Sequence, residues 1–156
     1  MAQIIKPTSD DQSQEHMISI FLAGSIEMGV AEDWQTRLQN ELSEYDVTIF
    51  NPRRDGWDSS WKQRATEPQF HYQVNWEMDR LESSEIIFMY FSPGTKSPIS
   101  LLELGLHKDD DIIVCCPDEF WRKGNVEIVC HRNRIPLFDN LDDAIAALKS
   151  RILHLS

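Results

Sequence analysis

Positive charge is scarce in this sequence: fifteen Lys plus Arg stand against twenty-six Asp plus Glu, a formal net charge of −11. That balance repels phosphate backbones and anionic lipid surfaces, so neither a nucleic-acid polymer nor a membrane is an expected partner. Long apolar runs are missing too. None approaches the roughly 18 to 20 residues of a membrane span, and the first residues carry no apolar signal-peptide core, so the expected location is cytoplasmic. Cysteine is limited to three, with Cys115 and Cys116 adjacent, which excludes a disulfide framework and suits a reducing compartment. Cys130 and His131 add no C-x-x-C spacing, and neighbours in a strand point to opposite faces, so no metal site is expected. The six glycines form neither a G-x-G-x-x-G fingerprint nor a P-loop, and no G-x-S-x-G elbow is present.

What is present is a strand–helix alternation in a chain of 156 residues, a length that suits one domain. Residues 1–16 are polar apart from one Ile pair and are expected to form a loosely packed tail, leaving 17–156 as the single domain. "MISIFLAG" reads as a strand buried on both faces and closed by Gly24. From about Ala31, Trp34, Leu38 and Leu42 recur at helical spacing. "DVTIFNP" is the second strand, stopped by Pro52. Then come a helix in "FHYQVNWEMDRLESS", a strand in "EIIFMYF", a helix in "SPISLLELGLHK" and a strand in "DIIVCCP". A helical patch around "EFWRKGNVEIVCHRN", a weak strand "IPLF" and a closing helix "LDDAIAALKSRIL" complete the chain. Such alternation implies right-handed crossovers and a parallel sheet with helices on both faces. The expected fold is flavodoxin-like, α/β and doubly wound, with five strands in the order 2-1-3-4-5. Its ligand crevice then opens where the connections from the first and third strands part.

The crevice is walled by the loop at "GSIEMG" and by "SPGTKSPIS". Gly24 and Ser25 form a turn whose backbone N–H groups can face a ligand. Ser97 and Pro98 carry helix-start preferences. On the wheel of the following helix, Leu101, Leu102, Gly105 and Leu106 form the expected buried stripe, with Glu103 off it. Spacing alone therefore reads Glu103 as a solvated residue, whereas topology puts it beside the crevice, in the second turn of a helix whose field favours an ionised carboxylate. Glu77, in "NWEMDRLESSE", is the partner that would let two carboxylates divide nucleophile and acid–base work. An exposed helix face explains the acids of that helix equally well.

Between Asn51 and about Phe70 lie some twenty residues without a period, a length that points to a functional or disordered loop. Its aromatics Trp57 and Trp61, with Phe70, Tyr72 and Trp76 beyond, either pack the loop down or stack on a planar ligand such as a nucleobase. Arg53 and Arg54 either grip a phosphate or carboxylate or pair with nearby acids.

Taken together, "IFLAGSIEMGVAEDWQ", "NPRRDGWD", "QVNWEMDRLESSEIIFMYF", "SPISLLELGL" and "FWRKGNVEIVC" resemble the nucleoside 2-deoxyribosyltransferase-like family, in order and spacing, from about Met17 to the final helix. The resemblance implies a flavodoxin-like fold and cleavage or transfer at the N-glycosidic bond of a nucleoside or nucleotide, with no cofactor. It implies that Glu103 in "LLELG" attacks the anomeric carbon and that Glu77 helps hold the nucleoside. A substrate pocket would draw on Phe21, Gly24, Ser25, Asn51, Arg53, Trp57, Trp76 and Ser97. Asn125 corresponds to an asparagine that relatives give to a neighbour's site, which implies a homo-oligomer. Two positions depart from the pattern: Ser97 stands where relatives have an aspartate, and Phe21 where they have a tyrosine. The first removes a potential proton donor and the second a hydroxyl that could hold the nucleophile. Three functions follow as expectations: double displacement through a glycosyl–Glu103 ester, hydrolysis of a nucleoside monophosphate with Arg53 or Arg54 on the phosphate, or nucleotide sensing without chemistry.

Overall fold

The computed structural model describes residues 1–9, 17–25, 32–54 and 60–156. Along them run β1 (Gln3–Ile5), β2 (Ile18–Gly24), α1 (Trp34–Glu41), β3 (Val47–Phe50), α2 (Pro68–Ser83), β4 (Ile86–Tyr90), α3 (Pro98–Leu106), β5 (Ile112–Cys115), α4 (Lys123–Arg132), β6 (Leu137–Phe138) and α5 (Leu141–Leu155). The sheet is parallel throughout, in the order β1-β3-β2-β4-β5-β6.

This corrects the expectation of five strands. β2, β3, β4, β5 and β6 do follow the expected order, but a sixth strand pairs outside β3, from the stretch read as a tail. A three-residue segment is too short to show a period, so its pairing, Gln3 with Thr48 through Ile5 with Phe50, was not visible in the sequence. Burial of Ile5 and a hydrogen bond from Tyr72 Oη to the Pro7 carbonyl (2.9 Å) hold it in place.

Alternation along each strand divides the core in two. Phe21, Ala23, Phe50, Ile87, Met89 and Val114 face α2, α3 and α4, meeting Trp76, Leu81, Leu104 and Val126. Ile20, Leu22, Ile49, Phe88 and Ile113 face α1 and α5, meeting Trp34, Leu38, Ala144 and Leu148. Strands covered on both faces explain why the sequence shows continuous apolar runs instead of alternation. The helix expected from about Ala31 begins at Trp34, capped by Asp33 Oδ1 accepting from Thr36 N at 3.2 Å. Among the described residues, no helix is long and apolar enough to cross a membrane.

The sheet's switch point lies between β2 and β4: the chain leaves β2 toward β3 and leaves β4 toward β5. Helices following parallel strands run back antiparallel to them. The first turns of α2 and α3 therefore sit at the same end as the carboxyl ends of β2 and β4, on one face of the sheet.

Candidate active site

The floor of the crevice is set by glycine. Gly24 ends β2 at φ 135°, and a Cβ there would lie 2.1 Å from the Tyr90 carbonyl oxygen, so no other residue lets β2 and β4 part at this point. Ser25 follows, and its N–H donates to that same carbonyl at 3.0 Å. Its own carbonyl accepts from Trp34 Nε1 at 2.8 Å and Gln35 Nε2 at 3.4 Å. The turn read as a possible ligand cradle thus has its Ser25 main-chain groups committed to the fold.

Three buried hydroxyls close on one another above this turn. Ser25 Oγ lies 2.6 Å from Ser97 Oγ and 2.9 Å from Thr95 Oγ1, with Thr95 and Ser97 also 2.9 Å apart. Ser92 N donates to Ser25 Oγ, and Thr95 Oγ1 donates to the Ser92 carbonyl, each at 2.8 Å. Ser97 is therefore a fastener between the two crevice loops. It is the N-cap residue of α3, as expected, but with a left-handed backbone (φ 47°, ψ 52°) and no side-chain cap bond.

Of the buried stripe expected for α3, Leu101 alone is half-buried against the core. Leu102 and Leu106 are 59% and 62% exposed, as is Ile99 at 60%, and Gly105 is exposed too. The inward row is Ser100, Glu103, Leu104 and His107, which follows i, i+3, i+4, i+7 as faithfully as the leucines do. Sequence reading chose the more apolar of two rows with the same period. Glu103 consequently points inward, toward α2.

There it feels the charge of Glu77. Burial pushes the Glu103 carboxyl up to about 8, aided by the charge of Glu77. Burial likewise pushes Glu77 up to about 7, against a hydrogen bond from Gln73 Nε2 to Glu77 Oε1 (3.2 Å) that favours the ionised form. Two like charges in one desolvated space resist joint ionisation, so near neutral pH the pair holds about one proton between them. Glu77, with the hydrogen-bond donor, ionises first in the free protein. Gln73 was missed in the sequence, although its i, i+4 spacing to Glu77 was a readable signal.

Around the pair the remaining predicted residues divide. Phe21 and Trp76 are buried and packed together (centroids 6.3 Å), and Trp76 also meets Phe50 edge-on at 6.4 Å with Arg80 over its ring at 6.0 Å. The indole also lines a surface pocket with Pro68, His71, Tyr72 and Asn75 on α2. Asn51 is buried, donating to Gln39 Oε1 and accepting from Arg53 N, both at 3.0 Å. Arg53 turns toward α1, donating to Gln35 Oε1 at 3.3 Å and lying 3.5 Å from Asp33 Oδ1. Arg54 turns the other way, toward α2: its Nη2 donates to Gln69 Oε1 at 3.2 Å and its guanidinium lies 5.2 Å from the Trp61 ring centre. Asn125 is exposed in the first turn of α4, outside the carboxylate cluster. Trp57 lies outside the described residues. Among the described residues, no group of three or more His, Cys, Asp or Glu is placed to hold a metal ion.

Comparison with known proteins adds three findings. A family model described as "Nucleoside 2-deoxyribosyltransferase like" matches residues 17–120. Among curated proteins, none matches the chain. A solved structure described as a "conserved protein from Enterococcus faecalis V583" is similar over 86% of this chain and 99% of its own, at 10% identity and a TM-score of 0.61, a likeness of fold.

Proposed function

The chain belongs to the nucleoside 2-deoxyribosyltransferase-like family, and from that premise we propose that it cleaves the N-glycosidic bond of a (deoxy)nucleoside by double displacement. The observation that carries this reading is that α2 and α3 set two half-buried carboxyl groups, Glu77 and Glu103, near enough for the charge of one to raise the other. A glycosyl transfer needs one carboxylate as nucleophile and one carboxylic acid as proton donor, and the pair supplies both at neutral pH.

Glu103 Oε attacks C1′ as the C1′–N bond breaks, and the bond's electrons leave with the base. Glu77 gives its proton to the departing base. The resulting glycosyl ester is opened when an acceptor base or water attacks C1′, Glu77 takes the acceptor's proton, and the Glu103 carboxylate is released. The free protein has the proton on the other partner, because Gln73 stabilises ionised Glu77. Positive charge growing on the sugar beside Glu103 favours ionised Glu103 and moves the proton to Glu77 as the transition state forms. The absence of an aspartate at Ser97 fits this division, since Glu77 is then the proton donor.

The exposed row Ile99, Leu102 and Leu106 also supports assembly of like copies through α3, as an apolar stripe on a monomer's surface favours coverage.

The test is chemical. The protein is incubated with deoxynucleosides, ribonucleosides and their 5′-monophosphates, with and without a free acceptor base, and the bases are followed by chromatography. Exchange that requires acceptor identifies transfer, and release without it identifies hydrolysis. Glu103→Gln is expected to lose about a thousandfold or more in either reaction. Wild type and Glu103→Gln behaving alike across the panel would refute the covalent mechanism.

A further inference from the structure

Ser97 gives up one role and accepts strain to fill another. A serine at the N-cap normally takes a hydrogen bond from a first-turn N–H, yet Ser97 makes no side-chain cap bond to α3. Its backbone sits at φ 47°, ψ 52°, a left-handed conformation that is unfavourable for any residue with a Cβ. Its hydroxyl reaches across the switch point to Ser25, the first residue beyond β2, at 2.6 Å, and Thr95 closes the triangle at 2.9 Å to each. All three residues are buried. A strained backbone persists only where its surroundings hold it, and here buried hydroxyls do so beside the crevice.

The helix that starts at this point depends on such a mounting. α3 is nine residues long, a length at which an isolated helix is marginal. Ile99, Leu102 and Leu106 are exposed, only Ser100 and Leu104 are buried, and Leu101 is half-buried. Few side chains therefore fix how α3 lies against β2, and the triangle holds its first residue. From there the helix transmits position. Leu101 N donates to Ser97 O at 3.1 Å, and Glu103 follows six residues after Ser97, about 9 Å along the axis. Glu77 stands on α2, a helix of sixteen residues anchored by Gln73, Trp76 and Leu81. The relation of the two carboxyls is thus set by two separately mounted helices, of which α3 is the more lightly held.

We propose that Ser25, Thr95 and Ser97 are positioning residues for Glu103: their triangle pins the start of α3 to the end of β2 and so fixes the approach of Glu103 to Glu77. The catalytic meaning of this device rests on the function proposed above, whereas the positioning is readable without turnover.

The measurement is a carboxyl-carbon NMR titration of Glu77 and Glu103 in wild type, Thr95→Val, Thr95→Ser, Ser97→Gly and Ile145→Val, with kcat and KM for a nucleoside that wild type turns over. Valine keeps the shape of Thr95 and removes the hydroxyl. Glycine adopts the backbone of Ser97 without strain and removes its hydroxyl. Ile145 packs on the opposite face of the sheet, so trimming it loosens the core without touching α3. In Thr95→Val and Ser97→Gly the Glu103 titration is expected to fall toward the ordinary carboxylate range by about half a pH unit or more, as the carboxyls separate. Their kcat is expected to drop about tenfold with KM changed by less than about twofold. Thr95→Ser, which keeps the hydroxyl, and Ile145→Val are expected to match wild type in both readouts. A Glu103 titration that stays in place in Thr95→Val and Ser97→Gly, both checked to be folded by circular dichroism, would overturn the proposal even where stability falls. The same shift in Ile145→Val would overturn it too, as a general effect of a looser fold. If the titration moves as expected and wild type releases no base from any nucleoside, the positioning stands and the catalytic reading falls.

Discussion

Gln73 donates through Nε2 to Glu77 Oε1 at 3.2 Å, and so decides which member of the carboxylate pair ionises first. Among the described residues Glu103 has no such donor, and it is raised by burial and by its neighbour's charge. Replacing Gln73 with leucine removes the bond that favours ionised Glu77, so Glu77 is expected to titrate higher. The acid limb of the pH–rate profile should move up by about half a pH unit or more. A profile whose limbs stay in place while the rate falls would assign Gln73 a purely structural role.

Wild type itself should give a bell-shaped profile with its maximum between about 7 and 8, the values to which Glu77 and Glu103 are pushed. Below that window the pair keeps both protons and has no nucleophile. Above it the pair has no acid. A rate that rises monotonically to pH 9 would show that the proton donor is some other group.

The same pair makes stability depend on pH. Both carboxyls titrate higher folded than unfolded, where the reference is 4.5, so the folded state binds more protons between those limits. Stability contributed by the protonated pair is complete below about 4.5 and is lost as pH rises through about 7 to 8. Glu103→Gln removes one buried ionisation and should stabilise the protein by about 2 kcal/mol near pH 8, with little gain near pH 5. Thermal melts at the two pH values test this, and a gain that is equal at both would contradict it.

Gly24→Ala is expected to cost about 3 kcal/mol or more in chemical denaturation, because the added Cβ meets a carbonyl oxygen at 2.1 Å on a backbone at φ 135°. Gly105→Ala, where a Cβ meets nothing within 4 Å, should stabilise α3 by about 1 kcal/mol. The two together separate strain at the crevice from helix propensity.

Leu102→Glu places a charge in the exposed row of α3. It should convert an assembly built on that face into monomers in analytical ultracentrifugation, and a wild type that sediments as a monomer would remove the case for assembly through α3.

How far the sequence reached depended on what kind of signal each feature leaves. Strands buried on both faces leave apolar runs, so β2 through β5 and the switch point between β2 and β4 were legible. β1 leaves only "QII", too brief for any period, and its pairing is made by backbone atoms that every sequence has. Glu103 and Glu77 were legible as residues, through a resemblance in motif order. The inward orientation of Glu103 was not. α3 carries two rows of identical period, and the rule that apolar residues face inward selects the wrong one where the apolar row lies on the surface. The orphaned Oε1 of Gln73 escaped for a different reason: its interest lies in a bond that it does not make among the described residues, and an unsatisfied atom has no sequence pattern.

The parting of β2 from β4 has an evolutionary consequence. Beside the hydroxyl contacts of Ser25, Thr95 and Ser97, three stitches use main-chain atoms on at least one side: Ser25 N to Tyr90 O, Ser92 N to Ser25 Oγ, and Trp34 Nε1 to Ser25 O. A main-chain carbonyl comes with every residue and a main-chain N–H with every residue except proline, so the side chains at Tyr90 and Ser92 can change without breaking the bonds made by Tyr90 O and Ser92 N. A lineage can thus vary those two side chains beside the switch point and keep β2 and β4 parted in the same way.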